Sequence, residues 1–223
     1  MKNEMTQRIV TSLILLFIFF LMLINQFILV ATLLFFFIFS FLEFSALIQK
    51  ICAKKKLLVT LYNSLFFLYI FIFVLIFYFF LQDIGTKFLL LFYLSLCISS
   101  DIGGIIFGKI FKGPKLTKIS PNKTISGSVG SFVLSAATCY LLVYFTQVFV
   151  FYKIIILALF ISLGCQIGDI FFSYVKRKAN VKDTGKVLPG HGGLLDRFDG
   201  ILFGLPFSLL GTVILYIFIT WNN

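Results

Sequence analysis

Residues 57–81 read LLVTLYNSLFFLYIFIFVLIFYFFL, with Lys54-Lys55-Lys56 just before them and Asp83 just after. The run holds no charged residue and is longer than the roughly 20 apolar residues that carry an α-helix across a bilayer core. It therefore predicts a membrane-spanning helix. Strands are excluded by the length of the run and by the closure a lipid-exposed barrel needs. Working outward, similar runs cover about residues 9–24 and 27–48 before it, and 88–108, 127–147, 150–175 and 200–220 after it. The expected fold is all-α, a polytopic integral membrane protein of about seven transmembrane helices. With 61% hydrophobic residues and 32 Phe among 223, and a mean hydropathy of +1.10, the chain is too apolar for a soluble domain. No separate soluble domain is expected.

The first run is short, and Asn25-Gln26 marks either a tight turn or a dip into the interface. Lys2 and Arg8 precede that run as in a signal peptide, but no small-x-small cleavage site follows. The reading is a retained first span. Cys52, Cys97, Cys139 and Cys165 show no CxxC spacing, and three lie in apolar runs, so packing is expected of them rather than a disulfide or zinc site.

Lys and Arg favour the cytoplasmic side of short loops. With the N-terminus inside and seven spans, all of the 19 basic residues except Lys87 and Lys153 fall on the cytoplasmic face. A wrong number of spans would scramble that alternation, so the N-terminus is expected inside and the C-terminus outside. The net charge of +11 is then concentrated on one membrane face, where it also attracts anionic lipid head groups. No nucleic-acid partner is expected. The Lys54–Lys56 cluster needs no more than topology to explain it. The loops at about 109–124 and 176–199 differ, because their basic residues alternate with Gly, Pro, Ser, Asp and the single histidine. The chain divides accordingly into N-terminal spans, 1–87, and a region bearing the two basic loops, 88–223.

Eight acidic residues are present, and Glu43, Asp101, Asp169, Asp183, Asp196 and Asp199 require a reason beyond an ordinary loop charge. A carboxylate at membrane depth costs several kcal/mol unless it is paired, protonated or facing water. In CQIGDIFFSYVKR, helical spacing sets Gln166, Asp169, Ser173, Lys176 and Arg177 along one stripe. Such a stripe either lines something wet or reflects an intrahelical contact from Asp169 to Ser173 or Lys176. In DRFDG, Asp196 and Asp199 stand three apart before the last run. If a helix starts there, both share a face, and the pair suits Mg2+, which takes oxygen ligands and keeps waters for phosphates to displace. The alternative is a helix N-cap pair.

Between these helices lies KRKANVKDTGKVLPGHGGLL. Gly190, Gly192 and Gly193 let backbone approach a ligand, and Lys176, Arg177, Lys182 and Lys186 supply charge for phosphate. His191, in PGHGG, is a candidate contact to nucleotide or phosphate. Upstream, Asp101, Gly104 and Gly108 fall at i, i+3 and i+7, a narrow face for a partner helix. The turn Ser120-Pro121-Asn122-Lys123-Thr124 before Gly127 is a candidate anion-holding helix cap, following Lys109, Lys112, Lys115 and Lys118. The chain has no Walker pattern, which excludes a P-loop NTPase.

One stretch carries a family resemblance: Ser173-Tyr174-Val175-Lys176-Arg177, four residues, Lys182-Asp183-Thr184-Gly185, two residues, then Leu188-Pro189-Gly190-His191-Gly192-Gly193-Leu194-Leu195-Asp196-Arg197-Phe198-Asp199. It resembles the signature of the phosphatidate cytidylyltransferases, or CDP-diacylglycerol synthases. The likeness reaches back through Asp101 and the SPNKT turn, with two departures. Ile102 and Gly103 follow Asp101 where the family more often has a hydroxyl and another residue, and Ser126 stands where a glutamate is usual.

The resemblance implies an all-helical, commonly homodimeric enzyme of the inner (plasma) membrane with its active site facing the cytoplasm. It would use Mg2+ to transfer CMP from CTP to phosphatidic acid, with a monovalent cation such as K+ as a further family feature. The implied metal residues are Asp169, Asp196 and Asp199. Lys176, Arg177, Lys182, Asp183 and Arg197 are the expected catalytic set; Ser120, Lys123, Thr124, Ser173, Gly190, His191, Gly192 and Gly193 are expected against substrate. Two rivals are weighed. A CTP-dependent polyprenol or dolichol kinase has a related architecture and would transfer one phosphate. An ion or phosphate transporter would spread polar groups across the bilayer, whereas here they gather on one side. DRFDG also opens like a CDP-alcohol phosphotransferase motif, but Ile201-Leu202-Phe203-Gly204 does not continue it.

Overall fold

The computed structural model of the chain describes residues 2–117, 119–120, 123–146 and 151–221. Lys118, Pro121 and Asn122 of the upstream basic turn lie outside the described residues, as does the side chain of Lys153. Seven helices occur among the described residues: α1 Lys2–Ile24, α2 Gln26–Ile51, α3 Lys56–Phe80, α4 Ile84–Phe111, α5 Ile125–Thr146, α6 Phe151–Lys178 and α7 Leu195–Trp221. All seven are long and apolar enough to cross a membrane, and Met5–Ile24 supplies a 20-residue span within α1, about 30 Å of helix. Asn25 resolves as a tight turn: its side-chain oxygen accepts from Phe27 N and Ile28 N, at 2.9 and 3.3 Å, and caps α2.

The helices outrun the apolar stretches. α7 starts at Leu195, so Asp196, Arg197 and Asp199 are helical, which meets the condition under which DRFDG opens the last helix and ends the basic loop before residue 199. α4 runs on to Phe111 and α6 to Lys178, past the loop starts expected at 109 and 176. Hydropathy ends a run at its first charges, but a helix needs only backbone hydrogen bonds and capped ends.

The chain forms two compact units, Met1–Phe88 with Val175–Phe198, and Leu89–Tyr174 with Asp199–Asn223. In the first unit, α2 and α3 interlock through aromatic rings. Phe44 stacks on Phe66 with centroids 3.9 Å apart, and Phe36 meets Phe73 at 5.9 Å and the edge of Phe198 at 4.9 Å. Rings so arranged gain about 0.5–1.5 kcal/mol beyond area burial. Lys87 donates to the Leu23 carbonyl at 3.1 Å, a cation on the negative end of α1.

In the second unit the helices approach through small residues and interhelical hydrogen bonds, the usual adhesives where lipid removes the hydrophobic drive. Tyr93 pairs with Thr212 at 2.7 Å and Ser100 with Ser162 at 2.8 Å. Gly103 of α4 faces Gly130 of α5: a Cβ on Gly130 would stand 2.8 Å from the Gly103 carbonyl oxygen and would strike Phe107. Gly130→Val is therefore expected to cost about 2 kcal/mol or more by overpacking. A drop of several degrees in the apparent thermal midpoint of the detergent-purified protein would report it.

Candidate active site

The first cluster begins where α6 stops. Asn180 adopts a left-handed φ of 54°, a conformation Asn tolerates better than most residues. Asn180 N donates to Arg177 O at 3.1 Å, and Val181 N to Lys176 O at 3.0 Å. These two bonds form a Schellman ending. Val181 then packs against Leu47, Val175 and Ala179, the apolar contact that accompanies such an ending. Lys176, Arg177 and Lys178 fill the last turn, where cations suit the helix dipole.

From there to α7 the chain is held by carboxylates. Asp196 Oδ1 accepts from Lys176 Nζ at 2.7 Å. Its Oδ2 faces Thr184 N at 2.7 Å, Gly193 N at 3.0 Å and Thr184 Oγ1 at 3.1 Å. Glu43 of α2 reaches the same place, accepting from Leu194 N at 2.8 Å, Leu195 N at 2.9 Å and Thr184 Oγ1 at 2.7 Å. Within the loop, His191 N donates to Leu188 O at 2.9 Å, with Pro189 second and Gly190 third at φ 74°. That is the sequence logic of a type II turn, whose third position needs positive φ.

The turn faces α1. Arg8 Nε donates to Gly190 O at 3.0 Å, and the two His191 ring nitrogens lie 2.6 Å from Thr11 Oγ1 and 3.4 Å from Ser12 Oγ. Arg197 donates twice to the His191 carbonyl, at 2.8 and 3.1 Å. The structure thus sets His191 and Arg197 within the protein's own bonding, while Arg177, Lys182, Asp183 and Lys186 are exposed.

The second cluster belongs to the second unit. Asp101, Ser120, Lys123, Thr124, Gln166 and Asp169 help line a cavity of about 480 Å³, a size typical of small-molecule sites. Asp169 pairs with the Lys123 ammonium, a partner on another segment rather than the intrahelical Ser173 or Lys176. A Cβ on Gly200 would stand 3.4 Å from Asp169 Oδ1 and 3.5 Å from Asp101 Oδ1, so the two carboxylates converge on one point of α7. Asp199 Oδ1, one residue away, accepts from Gly200 N at 3.0 Å. Thr124 caps α5, its Oγ1 accepting from Gly127 N at 3.1 Å. Ser126 donates to the Lys112 carbonyl, and Ser173 is half-buried in this unit. Asp169, Lys123, Ser120 and Thr124 are thereby brought together. No group of three or more Asp, Glu, His or Cys side chains poised for a metal occurs among the described residues.

A family model described as the cytidylyltransferase family matches residues 2–215. The chain belongs to that family. Among curated relatives, it is 42% identical over 130 residues to the phosphatidate cytidylyltransferase of Rickettsia felis, a match covering 54% of this chain and 57% of that one. The enzyme of the same name from Bacillus subtilis is 44% identical over 121 residues, covering 52% and 45%. That of Helicobacter pylori J99 is 35% identical over 142 residues, covering 64% and 52%. The matched stretch spans about half the length of these relatives. Within this cytidylyltransferase fold, two residues escaped assignment from sequence: Glu43, whose partners lie 141 to 152 positions away, and Asp101, whose convergence with Asp169 no spacing could show.

Proposed function

We propose that the chain transfers CMP from CTP to phosphatidic acid, forming CDP-diacylglycerol and releasing pyrophosphate. Family membership carries the reading, and the two polar clusters support it chemically. A phosphate oxygen of phosphatidic acid forms a bond to the α-phosphorus of CTP as the bond to the departing pyrophosphate breaks. The nucleophile is already anionic at neutral pH, so no strong general base is required; the obstacle is repulsion between two polyanions.

Positive charge and hydrogen-bond donors answer that obstacle. In the first unit Arg177, Lys182 and Lys186 stand exposed in the segment that leads to the glycine turn. In the second, Lys123, Ser120 and Thr124 line the cavity. Fixed donors of this kind stabilise charge that develops during transfer. Phosphatidic acid enters laterally from the bilayer and CTP from the water phase. The preference of Lys and Arg for the cytoplasmic side supports a site on the cytoplasmic face of the inner membrane, with the N-terminus inside. A homodimer is the assembly that the resemblance implies.

Each unit by itself offers hard oxygen donors of the kind Mg2+ takes, Asp196 in the first and Asp169, with Asp101 beside it, in the second, and Mg2+ is commonly held by one or two carboxylates plus substrate phosphates and water. Asp196 Oδ1 meets one donor, Lys176, and a carboxylate oxygen accepts about two bonds. When bound, Mg2+ neutralises phosphate charge and favours in-line displacement. The test is radiolabelled CTP, phosphatidic acid and Mg2+ with the detergent-purified chain. The expected product is CDP-diacylglycerol, lost on chelation. Transfer of a single phosphate, or flux into proteoliposomes without nucleotide consumption, would replace the reading.

A further inference from the structure

We infer that Glu43 is a positioning residue, which sets the geometry of the signature loop from a helix far away in sequence. It sits in a membrane-spanning helix at 6% exposure, where a carboxylate is costly unless satisfied. Its satisfaction comes from three neutral donors: the amides of Leu194 and Leu195 and the hydroxyl of Thr184. Those amides belong to the start of α7, where N–H groups have no intrahelical acceptor and the dipole favours negative charge. Glu43 is therefore the cap of α7, supplied by α2.

Two loop glycines record the same contact. A Cβ on Gly185 would stand 2.9 Å from Glu43 Cδ, and one on Gly193 would stand 2.7 Å from Glu43 Oε2. Their lack of side chains opens the space through which the carboxylate enters. The Thr184 hydroxyl lies 2.7 Å from Glu43 and 3.1 Å from Asp196, and its single proton is shared between them. Asp196 in turn holds Lys176 at 2.7 Å. Glu43, Thr184, Asp196 and Lys176 thus form one chain of contacts, and its far end is the machinery of the proposed function, on which the kinetic part of the inference rests.

The test compares wild type with Glu43→Gln, which keeps the shape and exchanges one acceptor for a donor. Hydrogen exchange of the full chain in lipid nanodiscs is expected to quicken about tenfold or more in peptides covering Thr184–Leu195, and to stay unchanged in α4 and α5. The kcat for CMP transfer is expected to fall about a hundredfold, as misplacement of about 1 Å does elsewhere, with KM for phosphatidic acid within about twofold. If Glu43→Gln does not fold, Thr184→Val removes only the shared hydroxyl, and the same local quickening is expected. Unchanged exchange in the loop overturns the inference. So does a uniform rise across both units with wild-type turnover per folded molecule, which marks a purely structural role. Were the wild type to transfer no CMP at all, the proposed function would fall, while the exchange data would still decide the role of Glu43.

Discussion

Asp169→Asn is expected to lower CMP transfer by about a thousandfold, the scale of losing a carboxylate that would hold the cation neutralising the reacting phosphates. Asparagine keeps the size of the side chain and removes its charge. Two consequences follow. The cavity wall retains Asp101 alone where two carboxylates converged beside Gly200, and Lys123 loses its partner, leaving a half-buried ammonium facing an amide. The measurement pairs product formation with Mn2+ binding, read by electron paramagnetic resonance of the nucleotide-free protein. Binding is expected to weaken in step with turnover, while the helical circular dichroism stays that of wild type. Turnover near normal, or lost turnover with unaltered Mn2+ binding, would remove Asp169 from the metal set.

What was legible in the sequence follows the range over which each signal acts. The seven spans were readable because lipid imposes one requirement on every residue of a run, and Lys54–Lys56 interrupts it sharply, whereas Asn25-Gln26 left a tight turn and an interfacial dip both open. The start of α5 at the end of the Ser120–Thr124 turn was readable because a cap and its helix are neighbours, while which residue of the turn caps it, Thr124, came from the structure. The start of α7 in DRFDG was readable only as a condition, because Asp196, Arg197 and Asp199 count as polar in any hydropathy window, although Leu195 already opens the helix. The stripe on α6 marked Asp169 as polar-facing but left its partner undecided, since Lys123 lies 46 residues away. Glu43 was the hardest case. It looked like an isolated acid among phenylalanines, and its three donors come from the loop and the start of α7, more than 140 positions later. Local periodicity reports which face a residue occupies; only the packed fold reports what meets it there.

Asp196→Asn is expected to abolish Mg2+-dependent CDP-diacylglycerol formation with the helical fold retained, and comparison with Lys176→Met shows why. Asp196 presents one oxygen to Lys176 and the other to Thr184 and Gly193. In asparagine a single oxygen remains. If it serves Thr184 and Gly193, the new amide nitrogen confronts the Lys176 ammonium, donor against donor; if it serves Lys176, the loop amides lose their acceptor. The pair is part-buried, with side-chain exposures of 14% and 7%, so removing one partner costs a share of the roughly 3–5 kcal/mol lost when a fully buried pair is broken. Lys176→Met breaks the same ion pair but leaves the carboxylate, its loop amides and its capacity for a cation in place. If Asp196 matters only as the partner of Lys176, the two variants lose activity equally. If it also carries Mg2+, Lys176→Met retains Mg2+-dependent turnover at about a tenth of wild type, whereas Asp196→Asn shows none at any Mg2+ concentration. Titrating turnover of both purified variants against Mg2+ separates the cases, and near-normal turnover of Asp196→Asn would sink the metal assignment for this residue.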